Sequence, residues 1–284
     1  MRTARTRRTC SVLAAAGASL ALLATAGAGS AGASAISAAS AIKVPAKYAS
    51  GLTMAMDATY PPDEFIQNGK IVGFDADLAK AMGKVLGVKV SLKDATFDTI
   101  ITGVQDGKYS VGNSSFTDTK AREQQVTFID YFKAGEGYYE KASNTKTYSG
   151  LKALCGLSVS VETGTTEQAD AQAQAKLCHV NVLSFSDQNQ ANLAVSDGRA
   201  QVGFADSQVA AYIVHLSGGQ FKLTGMPFKT APYGFIVATG SGLAKPLLAA
   251  VKVLIADGQY KAVLAKWGVQ QGGITNPQLN GATS

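Results

Sequence analysis

From Leu52 onward the hydrophobic positions change period several times. "LTMAMDA" (52–58) is an apolar run of strand length. "FDADLAKAMGKVLG" (74–87) sets Leu78, Met82 and Leu86 on one helical face, with Asp75 near its start and Gly87 as its stop. "VKVSL" (88–92) returns to strand, a helix is predicted from Asp98, "SVGNSS" (110–115) is a further strand, and a short helix follows around Lys120–Gln124. Later, "SVSVE" (158–162), "NVLSF" (181–185) and "QVGFAD" (201–206) are separated by helical stretches from Thr165 and Asp187. The stretch 241–268 reads as two helices broken at Asp257–Gly258. Strands alternating with helices of about ten residues predict parallel sheets with helical crossovers, an α/β fold.

One internal echo bears on function. "DGKYSVGNSS" (106–115) and "DGRAQVGFAD" (197–206) share Asp, Gly, a basic residue, Val and Gly at identical spacing. Each reads as a helix ending at a left-handed glycine and a short strand beyond it, although Asp-Gly is also a common helix stop. Ser115 and Asp206 then hold equivalent places at strand carboxyl ends, one in each half of the chain. Open parallel sheets bind ligands outside those ends.

The first residues are of another kind. Arg2, Arg5, Arg7 and Arg8 precede an apolar Ala/Leu-rich run from Ser11 to Ala28, and a small-residue A-x-A site stands at Ala33–Ala35. Residues 1–35 are therefore expected to be a cleaved export signal. This changes the charge balance: four of the chain's six net positive charges are those arginines, leaving +2. No basic footprint asks for nucleic acid, and no later run is long and apolar enough to span a membrane. The expected location is periplasmic or at the cell surface. Export also permits a disulfide. Cys155 and Cys178 each stand three residues before a strand-like run, so parallel neighbouring strands would bring them level.

The candidate chemistry is concentrated at strand ends. "SSFTDTKARE" (114–123) gathers Ser114, Ser115, Thr117 and Thr119 ahead of Arg122. That pattern suits a helix start, and it equally suits a carboxylate clamp of hydroxyls, backbone N–H groups and a guanidinium fork. Asp206 could hold an ammonium from the other half of the chain or cap the next helix. "VETGTTEQ" (161–168) offers Gly164 for close backbone approach, with Thr165 and Thr166 as donors or caps. Phe97 is a stacking platform or a core residue, while Asp57 and Tyr60 end the first strand. His179 and His215 have neither metal-ligand nor triad spacing, so no metal and no cofactor are expected.

The ordered set "MDATYPPDEF", "IVGFDADLAKAMGKVLGVKV", "FDTIITGVQDGKYSVGNSSFTDTKAREQQVTFIDYF", "GLSVSVETGTTEQ", "ANLAVSDGRAQVGFADSQVAAYIV" and "LIADGQYKAVLAKWG" resembles the bacterial extracellular solute-binding family 3, the polar amino-acid-binding components of ABC importers. The resemblance spans nearly all of Leu52–Gly268. It implies a two-lobed Venus-flytrap fold of two open sheets whose chain crosses between lobes twice. Lobe 1 would comprise 41–132 plus 233–272 and lobe 2 would comprise 133–232, with a flexible tail over 273–284. It further implies that Arg122, helped by Ser115 and Thr117, holds a ligand α-carboxylate, with Thr166 adding a contact. Asp206 would bind the α-ammonium, Phe97 would pack on the side chain, and Asp57 and Tyr60 would border it. Where the family has an apolar or aromatic residue after "YPP", this chain has Asp63–Glu64, adding acid at the side-chain end and favouring a basic or amide amino acid. The implied partners are a small-molecule L-amino acid and the importer's membrane subunits, with the protein itself a monomer. The competing reading is a dehydratase of a cyclohexadienyl carboxylate on the same fold. Its general acid could be Glu64, Glu162 or Glu167, none with a partner evident in sequence to tune its pKa.

Overall fold

The computed structural model describes residues 42–283; the export segment expected at 1–35 lies outside the described residues. The first half begins with β1 (Leu52–Met56) and a small antiparallel hairpin sheet of β2 (Thr59–Tyr60), β3 (Glu64–Gln67) and β4 (Lys70–Val72). Helix α1 (Phe74–Leu86) follows, then β5 (Val90–Asp94), α2 (Phe97–Gln105), β6 (Val111–Thr117) and the short α3 (Lys120–Glu123). The second half contains β8 (Ser158–Glu162), α4 (Thr166–Ala175), β9 (Asn181–Phe185), α5 (Gln188–Ser196), β10 (Val202–Asp206) and α6 (Ser207–Leu216). Two long strands, β7 (Thr127–Lys141) and β11 (Phe221–Val237), join the halves, and α7 (Ala244–Ala256) and α8 (Gln259–Trp267) return to the first. No helix among the described residues is long and apolar enough to cross a membrane.

The other eight strands are hydrogen-bonded in the order β5-β1-β6-β11-β7-β10-β8-β9, so the sheets of the two lobes are joined edge to edge. The reason lies in the crossings. Strands β7 and β11 run antiparallel along their whole length and fuse the parallel triplets β5-β1-β6 and β10-β8-β9. Their ladder shifts register between Thr224 and Phe228 and again between Phe228 and Ala231, which interrupts it between the lobes.

The packing divides with the lobes. One core cluster takes residues from both chain ends, including Leu52, Phe74, Leu78, Met82, Phe132, Tyr233, Leu247 and Leu254. The α1 stripe supplies Leu78 and Met82 to it, and Gly87 closes that helix at φ 68°, a conformation costly for any residue with a Cβ. Two further clusters, around Val209 and around Val159, serve the second half. Strands β8 and β9 are parallel neighbours in the register Ser158↔Asn181, which levels Cys155 with Cys178. The two cysteines form a disulfide with Cα atoms 5.6 Å apart.

The last described segment lies along β7. Strand β10 pairs only with Glu136–Glu140 of β7, leaving the preceding stretch of β7 as an open edge. Residues 273–282 cover it through bridges Phe132↔Gly273 and Ile129↔Leu279. The Asp130 N–H donates to the Gln278 carbonyl (2.9 Å), and the Phe128 N–H donates to Asn280 Oδ1 (2.8 Å).

Candidate functional site

The carboxyl ends of β1, β6, β8 and β10 converge on one cleft between the lobes. It is narrow and is lined by all eight residues anticipated from sequence: Asp57, Tyr60, Phe97, Ser115, Thr117, Arg122, Thr166 and Asp206. Ser114, Glu162, Thr165 and Glu167 also line it. The echo between the halves holds: Gly107 (φ 74°) and Gly198 (φ 80°) turn the chain into β6 and β10, whose ends carry Ser115 and Asp206.

The hydroxyls before Arg122 divide their work, and the helix-start reading of that stretch belongs to one of them. Thr119 is the helix cap, its Oγ accepting from the Arg122 N–H (3.2 Å). Ser114 accepts from the Asp57 N–H (2.9 Å) and donates to Glu64 Oε1. Ser115 adopts φ 46°, unusual for a residue with a side chain, while its N–H donates to Asp75 Oδ2 (2.8 Å). Thr117 Oγ lies 3.4 Å from Thr166 Oγ on the other lobe. Arg122 is buried, with its guanidinium 5.6 Å above the Phe97 ring and donating to the carbonyls of Thr117 (2.8 Å) and Gly164 (2.9 Å). The Gly164 contact spans the lobes, and a Cβ at Gly164 (φ 85°) would meet Asp98 Cβ at 2.9 Å. Phe97 stacks on Phe116 at 4.5 Å and is the first residue of α2 rather than the residue ahead of it.

On the far side Asp206 precedes α6 but makes no capping hydrogen bond. Its carboxylate instead accepts from the Tyr60 hydroxyl (2.9 Å), reaching across to β2. Burial pushes its pKa up to about 7. Glu167, in the first turn of α4, is raised well above the usual range by burial and then by the Asp206 carboxylate. Asp57 accepts from Phe97 N–H (3.0 Å), Thr59 N–H (3.1 Å) and Thr59 Oγ (2.6 Å), so it caps α2 while lining the cleft. Burial raises it nevertheless. Opposite stands Glu162 at the end of β8, raised well above its ordinary value by burial and then by Asp57.

Two sequence expectations need correction. Asp63 and Glu64 are not at the side-chain end of the cleft; they are fully buried beneath β6 with Asp75. Asp63 Oδ2 accepts from Ser115 Oγ (3.0 Å) and from Gln208 Nε2 of α6 (2.7 Å), which makes it a tie between lobes. Second, Glu162 and Glu167 do have carboxyl partners, each held next to an Asp of the same cleft. Both lie near the carboxyl end of a strand, a position that itself marks a residue as cleft-facing.

These features define a class: a two-lobed α/β protein with a small, mixed-charge cleft closed over by both halves. The model of the bacterial extracellular solute-binding proteins, family 3, matches residues 52–270. The chain is 32% identical over 237 residues to the arginine-binding protein ArgT of Corynebacterium glutamicum, covering 81% of this chain and 78% of that one. It is 32% identical over 206 residues to the ABC transporter glutamine-binding protein GlnH of Bacillus subtilis, covering 70% and 74%. Among solved structures, an ancestral arginine-binding protein bound to arginine aligns with TM-score 0.72 at 37% identity, covering 76% of this chain and 97% of that one. The chain belongs to the bacterial extracellular solute-binding proteins, family 3.

Proposed function

We propose that this protein captures a polar L-amino acid between its lobes and delivers it to the membrane subunits of an ABC importer. One observation carries the reading: hydroxyls and a guanidinium from one lobe face a carboxylate from the other across a single cleft. A zwitterion satisfies both sides at once. Arg122, Ser115 and Thr117, with Thr166, hold the α-carboxylate; Asp206 holds the α-ammonium beside Tyr60; Phe97 and Asp57 border the side chain. Lobe 1 is 41–132 with 233–272, and lobe 2 is 133–232. The names of the relatives, arginine- and glutamine-binding, favour a basic or amide side chain. The protein works as an exported monomer, in the periplasm or at the cell surface.

A second reading has one observation in its favour. The raised carboxyls of Glu162 and Glu167 could donate a proton, as elimination from a cyclohexadienyl carboxylate requires. Each faces an Asp carboxyl, however, and the curated relatives named above are binding proteins.

A thermal-shift panel of the common L-amino acids and short carboxylates tests both readings. At a hundredfold excess over Kd a ligand adds about 2.7 kcal/mol, a rise of roughly 5–10 °C in Tm for a chain of this size. At least one polar L-amino acid produces such a rise and is recovered chemically unchanged. No response to any amino acid, or conversion of a carboxylate in the panel, overturns the binding reading.

A further inference from the structure

Asp63 and Gln208 meet away from the ligand cleft. Asp63 stands just ahead of β3 in one lobe and Gln208 in the first turn of α6 in the other, and neither lines the cleft. Gln208 instead borders a groove beside the joining strands, with Phe132 and Gly135 of β7 and Pro227 of β11. Both side chains are buried, Asp63 fully. Asp63 Oδ2 accepts from Gln208 Nε2 at 2.7 Å and from Ser115 Oγ at 3.0 Å. The other oxygen of each group, Asp63 Oδ1 and Gln208 Oε1, has no hydrogen-bond partner. A buried acceptor left bare costs free energy, and here two such atoms belong to one contact. An ionised carboxylate only accepts, so it cannot satisfy Oε1. A carboxylic acid with its proton on Oδ1 donates to the amide oxygen while Oδ2 goes on accepting from the amide nitrogen. One proton then satisfies both bare oxygens.

We infer that Asp63 and Gln208 are an interlobe latch, a carboxylic acid–amide pair that is complete when Asp63 carries a proton and that sets ligand affinity without touching the ligand. This rests on the reading that one amino acid is held between the lobes, and it adds a residue pair outside the cleft. The latch ties the two ends of the site together. Ser115 donates to Asp63, and Gln208 follows Asp206 by two residues. Around Asp63 stand Asp75 at the start of α1, Glu64 of β3, Asp206 ahead of α6, Tyr131 of β7 and Tyr233 of β11. None of these is basic, and burial followed by Asp75 takes Asp63 up to about 7. Opening the lobes parts Asp63 from Gln208 and admits water to a carboxyl that burial keeps protonated. The closed form therefore holds the proton more tightly, and by reciprocity the proton favours closure. The latch weakens as pH rises through about 7.

Asp63→Asn is the test, because asparagine presents an N–H and a C=O in the same places and so imitates the protonated acid at every pH. Small-angle scattering of the ligand-free protein reads closure directly. At pH 8 Asp63→Asn has a smaller radius of gyration than the wild type, and at pH 5 the two agree. Acids elsewhere in the cleft are common to both proteins and cancel in the comparison. Gln208→Leu is less compact than the wild type at pH 5, and adding Asp63→Asn to it restores nothing. Calorimetry with L-arginine and L-glutamine as probes reads the consequence. At pH 8 Asp63→Asn binds whichever of them the wild type binds about three- to tenfold more tightly, the scale of one buried hydrogen bond, and at pH 5 no more tightly. Equal radii at pH 8, or the same effect of Asp63→Asn with and without Gln208, overturns the latch and leaves the amino-acid reading standing. If one single variant does not fold, the other against wild type decides alone. Failure of every L-amino acid in the thermal-shift panel removes the amino-acid reading, and the radii of the ligand-free proteins still decide the latch.

Discussion

Arg122→Ala weakens amino-acid binding by at least about thirtyfold and leaves the fold in place. The guanidinium is buried against Phe97 and Phe116, and it is the clamp proposed for the ligand carboxylate. Removing one member of a buried, hydrogen-bonded charge pair costs about 2–5 kcal/mol, because the other charge is left without a partner. Affinity therefore falls by roughly thirtyfold to several thousandfold. Stability changes far less. The Thr119 cap bonds the backbone N–H of residue 122, which alanine retains; what is lost are the hydrogen bonds to the Thr117 and Gly164 carbonyls and the packing on Phe97 and Phe116. Arg122→Lys keeps the charge without the planar fork and falls between the two. Calorimetry beside a thermal melt checks this. An alanine variant that binds within about tenfold of wild type contradicts the clamp.

The second large effect is on stability and runs opposite to ordinary acid denaturation. Buried carboxyls crowd this protein. Asp63 is raised to about 7 by burial and then by Asp75, and burial takes Asp206 to about 7 and Asp75 to about 6. Asp118 rises to about 8, through burial and then Asp130. Glu64, Glu162 and Glu167 are raised as well. A carboxyl raised in the folded state holds its proton over a range where the unfolded chain has released it. The folded state then binds more protons, and stability falls as pH rises from about 4 toward the folded values. Each extra proton held is worth about 1.4 kcal/mol per pH unit. Asp77 and Glu123 are lowered and oppose the trend, but each is paired with an exposed lysine, and such pairs contribute little. The ligand-free protein accordingly melts at least about 5 °C higher at pH 5 than at pH 8. A flat profile, or a higher melting temperature at pH 8, contradicts the crowding of protonated acids described here.

Much of this architecture is legible in the sequence because it repeats. The α1 stripe, the Asp-Gly stops at 106–107 and 197–198, and the short apolar runs of β6, β8 and β10 obey local rules of period and capping. They suffice to place Ser115 and Asp206 at matching strand ends. Strand β7 is not legible in the same way. Its "KAGEGYYEK" stretch mixes glycine with charge, and only tertiary pairing buries Glu136 and Glu140. The hairpin of β2–β4 turns at Asn68 and Gly69, both with positive φ, but its strands are too short to show a period. In sequence Asp63 and Glu64 read as acids at the side-chain end of the cleft. Their burial depends on Ser115, Ser114 and Gln208, which lie 50 or more positions away and meet them only in the folded chain. Glu162 was visible in sequence only as a candidate general acid; its carboxyl neighbour, Asp57, belongs to the other lobe, and their pairing was not legible.

The central claim is that both lobes hold one ligand, and small-angle scattering tests it most directly. The hydroxyl–arginine group belongs to the first lobe and Asp206 to the second, so only a closed molecule satisfies both ends of a zwitterion. Scattering is recorded with and without the amino acid that gives the largest thermal shift, on the wild type and on Asp206→Asn. The account predicts that the radius of gyration of the wild type falls on adding ligand, while Asp206→Asn stays unchanged at the same concentration. Compaction of both proteins, or of neither, would contradict a ligand shared between the lobes.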